Sequence, residues 1–156
     1  PSRGELIERA RRQGLGDAVT CLGVVPREDM AATIAAFDIA VQPRVVAYAS
    51  PLKLFEYMAL GKAVIAPDQA NIREVLRHRA EALLFSPHDP HGLRRALSVL
   101  CREAPLRRRL GMAAALAVLQ RGYSWDANAE RIERLALSLT AAREGGIAQP
   151  LADAAE

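Results

Sequence analysis

Apolar residues along this chain fall into two rhythms. Three short runs, "DIAVQP" at 38–43, "AVIAP" at 63–67 and "ALLFSP" at 82–87, are apolar at consecutive positions and close on proline or a polar turn. Consecutive apolar positions of that kind are expected of parallel strands covered on both faces. A fourth run, "AVTCLG" at 18–23, is β-branched and closed by Gly23, and predicts another strand. Between the runs the spacing turns helical. "GELIERARRQ" at 4–13 sets Leu6, Ile7 and Ala10 at helical intervals, with acids first and arginines later as the helix dipole favours, and "GLGD" ends it. "VVPREDMAATIAAF" at 24–37 predicts a loop, a proline near a helix start and a helix. A strand-to-strand distance of roughly 20 residues with a helix between is the signature of βαβ units in an open parallel sheet.

After "SPHDP" the strands stop. "PHGLRRALSVLCRE" puts Leu93, Leu97 and Leu100 on one face, "PLRRRLGMAAALAVLQRG" has its own proline at the start, and "SWDANAERIERLALSLTAAR" opens on Ser124 as cap. These three helices are expected to cover the sheet or reach toward a neighbour. The expected fold is α/β and Rossmann-like: a four-stranded, mainly parallel sheet with flanking helices and a helical C-terminal segment. It occupies residues 1–143, and "EGGIAQPLADAAE" at 144–156 loses periodicity and predicts a disordered tail.

Composition narrows the class. The chain has 156 residues, 51% of them apolar and 25% charged, so the length favours one domain with a sizeable core. No run reaches the roughly 20 apolar residues of a membrane span. The net charge of +3 comes from arginines scattered among acids, and aromatic residues are only 4%, so nucleic acid is a poor partner. Cys21 and Cys101 stand far apart and outside any metal-binding spacing, which fits reduced thiols in the cytoplasm. The chain starts at Pro1 with no charged-then-apolar leader, which points to a fragment without a signal peptide.

Chemistry concentrates in "YASPLKLFEYMALGKAVIAP" at 48–67. In an open parallel sheet, ligands bind at the carboxyl ends of strands, where loops meet helix starts. Ser50 is placed as N-cap and Pro51 at the first helical position, leaving the N–H groups of Leu52, Lys53 and Leu54 pointing outward. Those donors and the helix dipole favour an anion. Lys53 opposes the dipole, and a phosphate partner would explain it. Glu56, one turn on, could accept from sugar hydroxyls. Two readings stand side by side: a site for a phosphorylated sugar, or a capped surface helix with a solvated Lys53–Glu56 pair.

A resemblance favours the first. "SPLKLFEYMALGKAVIAPDQANIREVL", "ALLFSPHDPHGLRRALSVL" and "YSWDANAERI", preceded by "VTCLGVVPREDMAATIAAFDIAVQP", resemble the C-terminal, donor-binding domain of the retaining family 4 glycosyltransferases of the GT-B fold. The likeness covers about residues 5 to 140. It implies that Glu56 is the second glutamate of the family's Glu-x7-Glu motif and meets the ribose of a nucleotide sugar. It implies that backbone amides at Pro51, Leu52 and Lys53 hold the diphosphate, with Ser50 at the same turn. Val25 falls where family backbone atoms meet the nucleobase, although a plain apolar contact beneath the loop serves equally well. The motif's first glutamate is replaced by Tyr48, which either hydrogen-bonds the sugar or packs in the loop.

The resemblance also implies a domain lacking its first two strands, with their arginine and lysine, and an absent N-terminal acceptor domain. "AVTCLG" would then close up against "DIAVQP", or the open edge would be filled by self-association. The function expected is donor binding for a glycosyltransferase that moves a sugar from a nucleoside diphosphate sugar to a hydroxyl of a glycan or lipid-linked acceptor. The isolated chain is expected to be inactive, with no residue assigned as catalytic, no metal and no cofactor beyond the donor substrate. The full-length enzyme would lie in the cytoplasm or peripherally at the inner membrane. A sugar-nucleotide epimerase fragment or a noncatalytic binding module are the alternatives. Other features carry less. "SPHDPHG" is better explained as a turn capped near Asp89 than as a metal site of His88, Asp89 and His91, with His78 too distant to join it. Glu74 matches a family glutamate or is a surface acid. Trp125 is expected as a packing anchor for the last helix.

Overall fold

In the computed structural model, residues 2–46, 48, 49 and 51–146 are described, with side chains to residue 141. The chain divides into two compact units, Pro1–Ala36 and Phe37–Glu156.

The first unit is helical. Helix α1 (Arg3–Arg12) begins at a capping box: Ser2 Oγ accepts from Glu5 N–H at 3.3 Å, and Glu5 Oε2 accepts from Ser2 N–H at 2.7 Å. These two bonds satisfy donors that a helix start otherwise leaves open. It ends at Gly14, whose φ of 69° lets the chain turn back, and a 3₁₀ turn follows at Gly16–Ala18. Helix α2 (Arg27–Ala35) starts after Pro26, as the sequence indicates.

"AVTCLG" is not a strand. Its backbone is extended at Val19 (φ −118°, ψ 111°), but Val19 and Leu22 are exposed and, among the described residues, no ladder pairs the segment. β-branched residues favour extended backbone, yet a strand exists only where a partner offers hydrogen bonds, and the rest of this unit is helix and turn. Among the described residues the expected four strands are therefore three, and "AVTCLG" is not one of them.

The second unit holds a parallel sheet in the order β1 (Ile39–Val41), β2 (Ala63–Pro67), β3 (Ala82–Phe85). Helix α3 (Leu52–Ala59) connects β1 to β2, and the short α4 (Ala70–Arg73) connects β2 to β3. Helices α5 (Gly92–Arg102), α6 (Ala104–Gln120) and α7 (Trp125–Gly146) follow. All five residues of β2 are buried. Val64 and Ala66 join one core with Leu54 and Met58 of α3, Ile72 of α4, and Ala114 and Ala117 of α6. Ala63 and Ile65 join the other with Leu100 of α5 and Leu110 of α6, against which Leu93 and Leu97 pack. The alternation of side chains along a strand thus feeds two cores, one on each face of the sheet.

Helix α6 contributes to both cores because it passes the amino end of β2. Gly61 there has φ 63° and closes α3 in a Schellman turn: Gly61 N–H donates to Met58 O at 2.9 Å and Lys62 N–H to Tyr57 O at 2.9 Å. A Cβ on Gly111 of α6 would lie 2.0 Å from the Gly61 carbonyl oxygen, so only glycine permits this approach. Gly122 (φ 62°) ends α6 in the same way and turns Tyr123 onto Phe55, ring centroids 5.0 Å apart, edge to face.

The amino end of β3 is pinned by charge. Glu81 is 2% exposed. Its carboxylate accepts from Arg77 Nε at 3.0 Å, from Arg77 N–H at 2.9 Å, and from Arg121 Nη2 at 2.6 Å, while Arg121 Nη1 donates to Val75 O at 2.6 Å. Burial by itself pushes the Glu81 carboxyl up, but the Arg77 hydrogen bonds and the Arg121 and Arg77 charges together hold it below its ordinary value.

Helix α7 starts as expected, with Ala127 N–H on Ser124 Oγ at 3.1 Å. Trp125, however, is 85% exposed and anchors nothing among the described residues, and Ile132, Leu135 and Leu139 are exposed too. Residues 147–156, most of the expected tail, lie outside the described residues. Among the described residues, no helix is long and apolar enough to cross a membrane.

Two outcomes follow for stability. Gly111→Ala should cost roughly 3 kcal/mol or more in urea unfolding, because backbone meets backbone and no side chain can swing away. Glu81→Gln should cost ~1–3 kcal/mol at neutral pH. The folded-state pKa of Glu81 is depressed, so its stabilisation is present above its unfolded value near 4.5 and lost as pH falls through the lower folded value. Wild-type stability should therefore fall more steeply below pH 4.5 than that of Glu81→Gln.

Candidate functional site

The carboxyl ends of β1 and β2 open onto two consecutive corners of the fold. From Val41 the chain runs through a loop to α3, and from Pro67 through Asp68 and Gln69 to α4. Val45 of the first loop packs on the core beneath it. Ala49 N–H donates to Val46 O at 3.2 Å, which makes a turn with Tyr48 within it. Tyr48 is 90% exposed, so it does not pack in the loop.

Helix α3 starts one residue later than the sequence suggests. Pro51 is the N-cap residue, with φ −78° and ψ 96°, and it provides no side-chain cap. A ψ in the extended range keeps Pro51 outside the helix, and the first helical position falls to Leu52. Ser50, the expected cap, lies outside the described residues. Leu54 N–H already donates to Pro51 O at 2.9 Å, so of the three amides expected to be open, this one is engaged. Among the described residues, those of Leu52 and Lys53 have no backbone partner.

Side-chain placement follows the helical period. Leu54 and Met58 are fully buried, which turns Leu52, Lys53 and Glu56 to solvent. No hydrogen bond or ion pair joins Lys53 to Glu56 among the described residues, so the surface-pair reading lacks its pair. Glu56 does act on its neighbour Tyr57. That half-buried phenol is raised above its ordinary value, first by burial and then by the Glu56 charge. Tyr57 also meets Phe37 edge to face, ring centroids 6.5 Å apart.

The other predicted positions lie on other elements. Val25 is half-buried in the first unit, one residue before Pro26. Glu74 is exposed at the end of α4. Asp89 accepts from His91 N–H at 2.9 Å and pairs with Arg95, which is the turn-and-cap arrangement. His78 serves β3 instead: its Nδ1 accepts from Leu84 N–H at 3.0 Å. A groove of about 430 Å³ lies between β3 and α5, lined by His78, Arg79, Phe85, Asp89 and Arg95 among others, and it touches none of the described residues predicted for the donor site. Sequence reasoning missed Asn71, whose amide reaches the Tyr48 turn, and Glu81. The Asn71 contacts and the Glu81–Arg121 pair depend on chain crossings that no local pattern reveals.

Comparison with known proteins places the chain. Residues 1–103 match the family described as glycosyl transferases group 1, and the chain belongs to that family. A phosphatidyl-myo-inositol mannosyltransferase of Mycobacterium leprae is 33% identical over 127 residues, covering 81% of this chain and 33% of that protein. Sucrose-phosphate synthase of Thermosynechococcus elongatus aligns with TM-score 0.76 and 27% identity, over 90% of this chain and 35% of that one. Anabaena HepE, solved in complex with UDP, aligns with TM-score 0.73 and 22% identity over 85% and 36%, and shows the fold alone. The chain spans about a third of the length of these proteins. The α/β, Rossmann-like expectation and its GT-B-like relatives are thereby established.

The electrostatic contact at this corner can be checked directly. Glu56→Gln should lower the Tyr57 titration midpoint, read by ultraviolet absorbance against pH, because it removes the charge that opposes phenolate. An unchanged midpoint would separate Glu56 from Tyr57.

Proposed function

We propose that this chain is the donor-binding part of a retaining, family 4 type glycosyltransferase, and that the start of α3 holds the diphosphate of a nucleoside diphosphate sugar. The observation that carries this reading is the pairing of two open amides, Leu52 and Lys53, with the Lys53 ammonium at the carboxyl end of a parallel strand. A cation in the first turn of a helix costs a few tenths of a kcal/mol unless an anion binds there. The complexes of Anabaena HepE with UDP and UDP-glucose lend support through a shared fold. Glu56, one turn on, receives the ribose hydroxyls, and Tyr48 takes the place of the motif's first glutamate near the sugar. Val25 belongs with the base.

In the reaction of the whole protein, the bond from the sugar C1 to the diphosphate breaks and the diphosphate keeps the electron pair. The acceptor hydroxyl oxygen forms the new bond and gives up its proton to the departing diphosphate. Amides and cations aimed at the leaving diphosphate stabilise the charge as it develops. No cofactor beyond the donor takes part in this scheme. The acceptor side belongs to a further part of the protein, as the chain's share of its relatives suggests, and the outer edge of β1 is where two further strands would add. This chain alone binds donor and transfers nothing.

Calorimetry tests the assignment. Lys53→Ala should weaken UDP binding about tenfold, and weaken inorganic pyrophosphate by a similar factor. Glu56→Ala should weaken UDP but leave pyrophosphate unchanged, because only the nucleotide carries ribose. Wild-type affinity for both probes in both variants would remove the site from α3.

A further inference from the structure

One side chain grips both ends of the turn that carries Tyr48. Asn71 Nδ2, from the first turn of α4, donates to Val46 O at 3.1 Å and to Ala49 O at 2.7 Å. Val46 O also accepts the Ala49 N–H that closes the turn. Both Nδ2 protons are engaged, which fixes the orientation of the amide. Its Oδ1 is buried with no hydrogen-bond partner among the described residues. An unpaired buried acceptor is destabilising, so stability alone would not select this arrangement.

The position of the grip matters more than its strength. Asn71 stands beyond the carboxyl end of β2, whereas the turn continues from the carboxyl end of β1, so one amide ties two successive corners of the sheet together. The turn has little packing of its own at the exposed Tyr48, and Pro51 and the open amides of Leu52 and Lys53 follow within four residues of Ala49. Asparagine suits the task because its amide nitrogen carries two donors on a short stem. Aspartate, with the same shape, would set a carboxylate against two carbonyl oxygens.

We propose that Asn71 is a positioning residue for the diphosphate site: by holding both ends of the 46–49 turn, it fixes where the Leu52 and Lys53 amides meet a nucleoside diphosphate and where Tyr48 is presented. This inference rests on reading the start of α3 as the donor site. It adds that affinity depends on a side chain that does not touch the ligand.

The test uses the 156-residue chain, with UDP, GDP and ADP as probes in calorimetry and hydrogen exchange read over residues 45–54. Wild type should bind at least one nucleotide. Asn71→Asp should weaken that nucleotide about tenfold, and Asn71→Ser, which keeps one donor, by less. Exchange over 45–54 should rise in Asn71→Asp while peptides of β3 stay protected. Glu81→Gln, which destabilises the fold elsewhere, should keep wild-type affinity and so separate positioning from general loss of stability. Wild-type affinity in Asn71→Asp, unchanged exchange over 45–54, or an equal loss in Glu81→Gln would each overturn the positioning role while leaving the donor site in place. If wild type binds none of the three nucleotides, the donor reading fails, and the role of Asn71 falls with it.

Discussion

Strand β2 is buried along its whole length, and the second unit is arranged around that constraint. "AVIAP" offers apolar side chains alternately to both faces of the sheet, and each face must be covered or roughly 25 cal/mol is lost per Å² left in water. The chain meets this by running α3 and α4 across one face and α5 across the other, with α6 serving both. Parallel neighbours then require helical crossovers, and crossovers bring helix starts to the carboxyl edge of the sheet. The corner at the start of α3 is a consequence of how β2 is buried.

The two ends of the sheet have different duties. At the amino end, contacts are close and specific: Gly111 sits against the Gly61 carbonyl, and Glu81 is held by two arginines. At the carboxyl end, Leu52, Lys53, Glu56 and Tyr48 are exposed.

Much of this was legible in the sequence where the signal was local and periodic. The three consecutive apolar runs are the three strands, and Leu93, Leu97 and Leu100 share one face of α5 as their spacing indicates. "AVTCLG" misled because β-branched composition specifies extended backbone but not a partner. Trp125 misled because a large aromatic residue implies burial only where something packs on it. The serine and proline pointed to a helix start here but set it one residue early, and the engaged Leu54 amide was not foreseen, since both depend on the ψ of Pro51. Asn71 escaped notice because its partners lie 22 to 25 residues away, and Glu81 because Arg121, which completes its pairing beside the nearby Arg77, lies 40 residues away. An asparagine or glutamate in isolation reads as surface.

The central claim is that a diphosphate binds at the start of α3, and backbone amide chemical shifts during a UDP titration test it most directly. The account expects the largest changes at the amides of Leu52 and Lys53, with smaller ones over the Val46–Ala49 turn. It is contradicted if those amides stay unmoved while amides lining the groove between β3 and α5, such as Arg79, Gly92 and Arg95, shift instead.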